Sequence, residues 1–92
     1  MFIQTETTPN PLSLKFLVGR DVSPSEPAYF SDFASAANSP LAQELFSIDG
    51  VVTVFFGHDF ITVTKNETKG WDLLKTEILT TIMDYFVSNK PI

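Results

Sequence analysis

Ser39–Lys65, SPLAQELFSIDGVVTVFFGHDFITVTK, decides the fold of this chain. It reads as a capped helix, a tight exit turn and a β-hairpin in direct succession. Ser39-Pro40 is a helix start. A serine oxygen caps free N–H groups of the first turn, and proline at the first helical position has no N–H to leave unpaired. Leu41, Ala42, Leu45 and Phe46 then recur at helical spacing. Asp49-Gly50 is expected to end the helix, since glycine accepts the left-handed backbone common at helix exits.

Val51–Phe56 and Asp59–Lys65 are rich in β-branched and aromatic residues, as strands are. Gly57-His58 suits a two-residue loop with glycine first. That loop sets Val54 opposite Ile61 and Val52 opposite Val63, with Phe56 joining them on a core face. Thr53, Phe55, Phe60 and Thr62 fall on the other face, where Phe55 is expected opposite Phe60. A loop at His58-Asp59 would shift the pairing and keep the same division of faces. The Phe55/Phe60 pair is either an ordinary cross-strand aromatic pair or part of an apolar patch for a partner.

N-terminal to this stretch, Phe2–Thr7 alternates as a strand does, and Ser13–Val18 reads as a second strand. Leu14 and Phe16 share one face of it, Lys15 and Leu17 the other. Thr8-Pro9-Asn10-Pro11 breaks the pairing between them. Gly19–Tyr29 reads as a loop, and Tyr29–Ala37 as a short helix or helical turn. C-terminal to it, Asn66–Gly70 is a polar turn. Asn66-Glu67-Thr68 fits a glycosylation acceptor, a chance match without a secretion signal. A strong helix runs from Trp71 to about Val87, with a stripe of Trp71, Leu74, Ile78, Ile82 and Phe86. Asn89-Lys90-Pro91 ends it. The order ββ–(α)–α–ββ–α implies a two-layer α+β domain: a four-stranded, mainly antiparallel sheet of two hairpins with helices on one face.

Ninety-two residues make one domain, and a hydrophobic content of 43% excludes a wholly disordered chain. The net charge of −5 repels nucleic-acid phosphate and anionic membrane surfaces, and the six basic residues are too scattered to offset it. No cysteine is present, so disulfides, zinc–thiolate sites and cysteine-held clusters are excluded within these residues. Nothing approaches the ~20 apolar residues of a membrane span. The N-terminus lacks a secretory signal, so a cytoplasmic or matrix-type location is the default expectation.

The chemistry-bearing residues are few. His58-Asp59 pairs the one histidine with a carboxylate, but no nucleophile or further ligand stands at useful spacing, so a solvated turn is the expectation. Nothing brings Glu6, Asp59 or another carboxylate together in a cleft for acid–base work. Thr8-Pro9-Asn10-Pro11 is the most plausible recognition loop, because two prolines restrict the backbone before binding. Lys15, on an outward strand face, is available to an acidic partner. The candidate partner-binding residues are therefore Thr8, Pro9, Asn10, Pro11, Lys15, Phe55 and Phe60, with no catalytic, cofactor or metal site.

Phe2-Ile3-Gln4-Thr5-Glu6, Thr8-Pro9-Asn10-Pro11 and Ser13-Leu14-Lys15-Phe16-Leu17 resemble the opening of the N-terminal domain of Nfu/NifU-like iron–sulfur cluster scaffold proteins. Ser39-Pro40-Leu41-Ala42, Val54-Phe55-Phe56-Gly57, Asp59–Lys65, Trp71, Leu74-Lys75 and Ile82-Met83 continue the likeness in order, so it covers essentially the whole chain. Proline, frequent in the family at the places of Val18, His58 and Thr76, is missing here, as is asparagine at the place of Leu12.

The resemblance implies a role in iron–sulfur cluster assembly or delivery. The family holds its cluster through a CxxC motif in a separate C-terminal domain, absent from this sequence, so residues 1–92 are expected to form one accessory domain of this type, without a cofactor of its own. Its implied partners are iron–sulfur assembly or recipient proteins, or a C-terminal domain of its own, with no nucleic acid and no membrane. The mitochondrial matrix is the implied location in a eukaryote. It is expected to be either part of a longer scaffold or a solitary domain. The alternatives are a solitary binding or regulatory module with no iron–sulfur role and, more remotely, an enzyme built on the His58-Asp59 turn.

Overall fold

The computed structural model describes residues 3–19, 22 and 27–88. The expectations for Phe2, for most of the loop interior between Gly19 and Pro27, and for the Asn89-Lys90-Pro91 helix exit lie outside these residues.

Five strands form one sheet among the described residues: β1 (Gln4–Thr7), β2 (Ser13–Leu17), β3 (Ala28–Phe30), β4 (Val51–Phe56) and β5 (Phe60–Lys65). Their order is β1-β2-β5-β4-β3, and every neighbouring pair is antiparallel. A single 3₁₀ turn at Ala34–Ala36 precedes helix α1 (Pro40–Phe46), and helix α2 (Trp71–Val87) closes the chain. The α+β, two-layer arrangement is the one expected, with one strand more.

The added strand is β3. Tyr29 and Phe30, read from sequence as one face of a helical turn, pair as strand residues with Phe55 and Val54. Phe30 reaches the core side and packs edge-on against Phe56, ring centroids 5.3 Å apart. The helical turn is confined to Ala34–Ala36, of which Ala36 is buried. The topology also accounts for the length of the β2–β3 connection. It must pass the ends of β5 and β4, three strand spacings or roughly 14 Å, to reach the far edge. Gly19 N–H donates to the Asp59 carbonyl at 3.2 Å and Val22 N–H to the His58 carbonyl at 3.0 Å, holding this connection against the β4–β5 turn.

The β4–β5 register differs from the one a Gly57-His58 loop would give. The loop is His58-Asp59, closed by Gly57 N–H donating to the Phe60 carbonyl at 2.9 Å. Val54 therefore faces Val63, Phe56 faces Ile61, and Phe55 faces Thr62 rather than Phe60. The division of faces survives, because the pairing moved by an even number of residues. Gly57 is needed for a close approach, not for a positive φ: a Cβ there would overlap the Phe60 ring. Val52 is the exception to the expected core face. A bulge between Val51 and Thr53 leaves it as the extra residue, 44% exposed.

Helix α1 starts as the sequence indicates. Ala42 N–H donates to the Ser39 side-chain oxygen at 3.3 Å, and Leu41, Ala42 and Leu45 are buried. It ends at Phe46, earlier than Asp49-Gly50. Gly50, with φ +106°, instead redirects the chain into β4. Its Cα lies beside the Lys69 side chain, whose ammonium meets Asp49 at 2.8 Å. That bond and the Asp49 charge hold the Lys69 ammonium above its usual range.

Helix α2 buries Leu74, Ile78, Ile82, Tyr85 and Phe86. Tyr85 was not in the sequence stripe. Burial, with the Glu44 charge adding, pushes its phenol up. Asn66 closes the entry turn, its side-chain oxygen accepting from Thr68 and Lys69 N–H groups at 3.2 and 3.1 Å.

The core collects Leu14, Phe16, Val54, Phe56, Ile61 and Val63 from one sheet face and packs them with the buried residues of α1 and α2. Among the described residues the other sheet face carries no helix. Truncating each face tests the assignment. Val54→Ala, at a fully buried position, is expected to lower stability by about 1–3 kcal/mol, below the ~2–5 of a Leu or Ile truncation. Thr62→Ala on the open face should cost less than about 1 kcal/mol. Equal denaturant midpoints for the two would overturn it.

Candidate functional site

Strand alternation brings part of the expected partner-binding set together. Lys15 (β2), Phe60 (β5) and Phe55 (β4) all point to the uncovered face of the sheet. The Lys15 ammonium sits 4.2 Å from the Phe60 ring centroid and 3.8 Å from a Glu6 carboxylate oxygen. Lys15 is thus already engaged, by an aromatic face and by an acid across the β1–β2 pair. Phe55 and Phe60 are diagonal neighbours with ring centroids 6.0 Å apart. Neither phenylalanine is fully buried.

Two residues extend this surface. Leu17 pairs with Phe60, and Tyr29 pairs with Phe55 from the edge strand and is 62% exposed. Leu17, Phe60, Phe55 and Tyr29 form an apolar band across four strands of an open face. Its polar flank is Ser13, Thr53, Thr62 and Thr64, with Ser13 and Thr64 hydroxyls 2.7 Å apart. Sequence reasoning missed Tyr29 because it missed β3. The available signal was the apolar run Ala28-Tyr29-Phe30 directly after Pro27.

The Thr8-Pro9-Asn10-Pro11 loop lies apart from that band. It joins β1 to β2 at the Ser13/Thr64 end of the sheet, about 13 Å along β5 from Phe60 at the usual rise per residue. The loop is ordered from within. Asn10 accepts at its side-chain oxygen from Leu12 N–H at 3.0 Å, and Thr8 donates its hydroxyl to the Asn10 carbonyl at 2.8 Å. Trp71 anchors it from α2, its indole N–H donating to the Pro11 carbonyl at 3.1 Å. Between them lies a cleft of about 320 Å³ lined by Thr7–Pro11, Ser13, Leu14 and Trp71. The Lys65 ammonium lies 5.7 Å from the indole ring centroid and donates to the Asn66 carbonyl at 3.2 Å.

The His58-Asp59 turn serves the fold through its backbone, since both carbonyls accept from the β2–β3 connection. Among the described residues no group of three or more His, Asp or Glu side chains is placed to hold a metal ion, and no helix is long and apolar enough to cross a membrane.

The comparisons with known proteins agree with this geometry. The family model for the N-terminal part of the scaffold proteins Nfu and NifU matches residues 3–89. The chain belongs to the Nfu/NifU N-terminal family. It is 56% identical over 93 aligned residues to the human mitochondrial NFU1 iron-sulfur cluster scaffold homolog, covering all of this chain and 37% of that protein. It is 52% identical to NifU-like protein 4, mitochondrial, of Arabidopsis thaliana, covering 32% of it. The chain thus spans about a third of the length of these curated relatives. The solution structure of a NifU-like protein from Saccharomyces cerevisiae superposes with a TM-score of 0.82 at 29% identity, covering 95% of this chain and 79% of that one.

In this Nfu-type domain, Trp71 couples the proline loop to α2. Trp71→Phe keeps an aromatic ring, though a smaller one, and removes the donor; loss of the hydrogen bond alone is expected to lower stability by about 0.5–1.5 kcal/mol. Amide hydrogen exchange should quicken at Asn10, Leu12 and Ser13 and stay unchanged at Phe16 and Ile61. Unchanged loop exchange would show that the indole bond does not order the loop.

Proposed function

We propose that this chain is the partner-recognition domain of an iron–sulfur cluster assembly or delivery scaffold and does not itself hold the cluster. The carrying observation is the pairing of membership in a scaffold family with a chain that has no cysteine. Thiolates are the usual ligands of such clusters. The cluster is then cargo on a CxxC-bearing domain, elsewhere in a longer protein or on a partner. This domain acts by binding and not by catalysis: His58 and Asp59 are exposed in a tight turn whose backbone carbonyls hold the β2–β3 connection.

Its recognition surface is the open sheet face, Tyr29, Phe55, Phe60 and Leu17 with Lys15 beside them, aided by the Thr8–Pro11 loop at the sheet end. A rigid sheet presenting aromatic side chains loses little conformational entropy on binding, and aromatic anchors dominate many interfaces. Its partners are iron–sulfur assembly or recipient proteins, or a cluster-bearing domain of its own chain. The curated relatives described above are named as mitochondrial proteins, which supports a matrix location if the source is eukaryotic.

Titration of the isotope-labelled domain with purified iron–sulfur assembly and recipient proteins tests this. Amide shifts are expected at Lys15, Leu17, Tyr29, Phe55 and Phe60. Tyr29→Ser and Phe55→Ser should each weaken binding at least about tenfold, as aromatic interface anchors do. Melting curves of both variants separate lost contact from lost fold. A partner that binds without perturbing this face, and is indifferent to both substitutions, would overturn the assignment.

A further inference from the structure

The helical layer carries a second surface that the proposed recognition face does not use. Leu73, Glu77, Thr80, Asp84 and Val87 are all exposed on α2. Their spacing is four, three, four, three, which is the spacing of a coiled-coil seam. At about 100° per residue all five lie within roughly ±40° of one line, and at 1.5 Å per residue the line runs about 21 Å. Leu73 and Val87, its two ends, are each 78% exposed. The opposite side of α2 is locked into the core by Leu74, Ile78, Ile82 and Phe86, so the stripe is presented on a fixed helix.

A seam normally carries apolar residues at every position. Here the ends are apolar and the centre is acidic. Among the described residues, Glu77 and Asp84 have no ion-pair partner, and the one lysine of α2, Lys75, falls well off the stripe. The Leu73 end adds to the same charge. A cavity of about 320 Å³ there is lined by Asp49, Lys69, Asp72, Leu73 and Glu77 among others. Lys69 is committed to Asp49 at 2.8 Å and feels Glu77 only through a weaker charge interaction, so one lysine stands among the three carboxylates Asp49, Asp72 and Glu77.

We propose that this stripe of α2 docks a cationic amphipathic helix of a partner protein. Lysines or arginines of that helix face Glu77 and Asp84, and apolar residues two heptads apart cover Leu73 and Val87. Charge removes the competing occupants. A second copy would set acid against acid, and nucleic acid or an anionic membrane would be repelled by the chain's net charge of −5. The cavity beside Leu73 accepts one further basic side chain. The domain then has two unlike faces, an aromatic one on the sheet and an acidic one on the helices.

The test uses a labelled synthetic helix of about three heptads with leucine at the two seam ends and lysine at the seam centre, and the same peptide with glutamate for lysine. The lysine peptide is expected to bind, to shift amides along α2, and to weaken as salt rises. Glu77→Lys with Asp84→Lys should weaken it at least about tenfold and let the glutamate peptide bind instead. Asp59→Lys with Glu67→Lys, exposed changes of equal total charge off the stripe, and Tyr29→Ser on the sheet should each change the affinity less than about twofold. If the Asp59/Glu67 pair weakens binding as much as the α2 pair does, or if the shifts fall on the sheet face, the inference is wrong. A failure here leaves the sheet-face interaction standing, because Tyr29→Ser separates the two.

Discussion

Burial of one face of the β4–β5 hairpin is the constraint on which the rest of the structure depends. Val54, Phe56, Ile61 and Val63 are almost completely removed from water. They can be so only if α1 and α2 cover the same side. β5 is the middle strand, so its register propagates outward: Phe16 and Leu14 of β2 are placed by Ile61 and Val63, and Phe30 of β3 by Val54. Strand alternation then leaves the opposite face bare. The open aromatic band is thus a consequence of how the core is made, since each side chain sent inward commits its neighbour outward.

Much of this was legible in the chain because it rests on local chemistry. Ser39-Pro40 caps α1, the Leu74–Ile78–Ile82–Phe86 stripe marks α2, and β-branched runs mark the hairpin. What was not legible depends on contacts between distant residues. β3 has three residues, too few for a period of two to stand out from a helical one, and its partner is about 25 residues further on. Of the two loop positions open to the hairpin, Gly57-His58 was preferred because glycine suggested a turn conformation, and the alternative, His58-Asp59, is the one formed. The real role of Gly57 is to leave room for the Phe60 ring. The Val52 bulge and the Trp71–Pro11 hydrogen bond, made across 60 residues, have no local signature.

The candidate site divides the same way. Lys15, Phe55 and Phe60 were assigned to outward strand faces by alternation alone, and the sheet brings them onto one face. The proline loop, though sound as a separate rigid element, belongs to α2 through Trp71 and not to the aromatic band. Tyr29, the most exposed member of that band, required β3. The described residues therefore offer an aromatic band on the open sheet face and, on the other side of the core, an acidic stripe on α2. Such a body suits bringing two partners together more than enclosing a substrate.

The central claim is that this domain recognises partners of a cluster scaffold while the cluster is held elsewhere. Anaerobic reconstitution of the purified chain with iron and sulfide, followed by visible absorbance and iron quantification after desalting, tests it most directly. A cysteine-free recognition domain retains no stoichiometric iron and shows no sulfide-to-iron charge-transfer bands. A stable, stoichiometric cluster on this chain would contradict the claim and would require ligands of a kind other than thiolate.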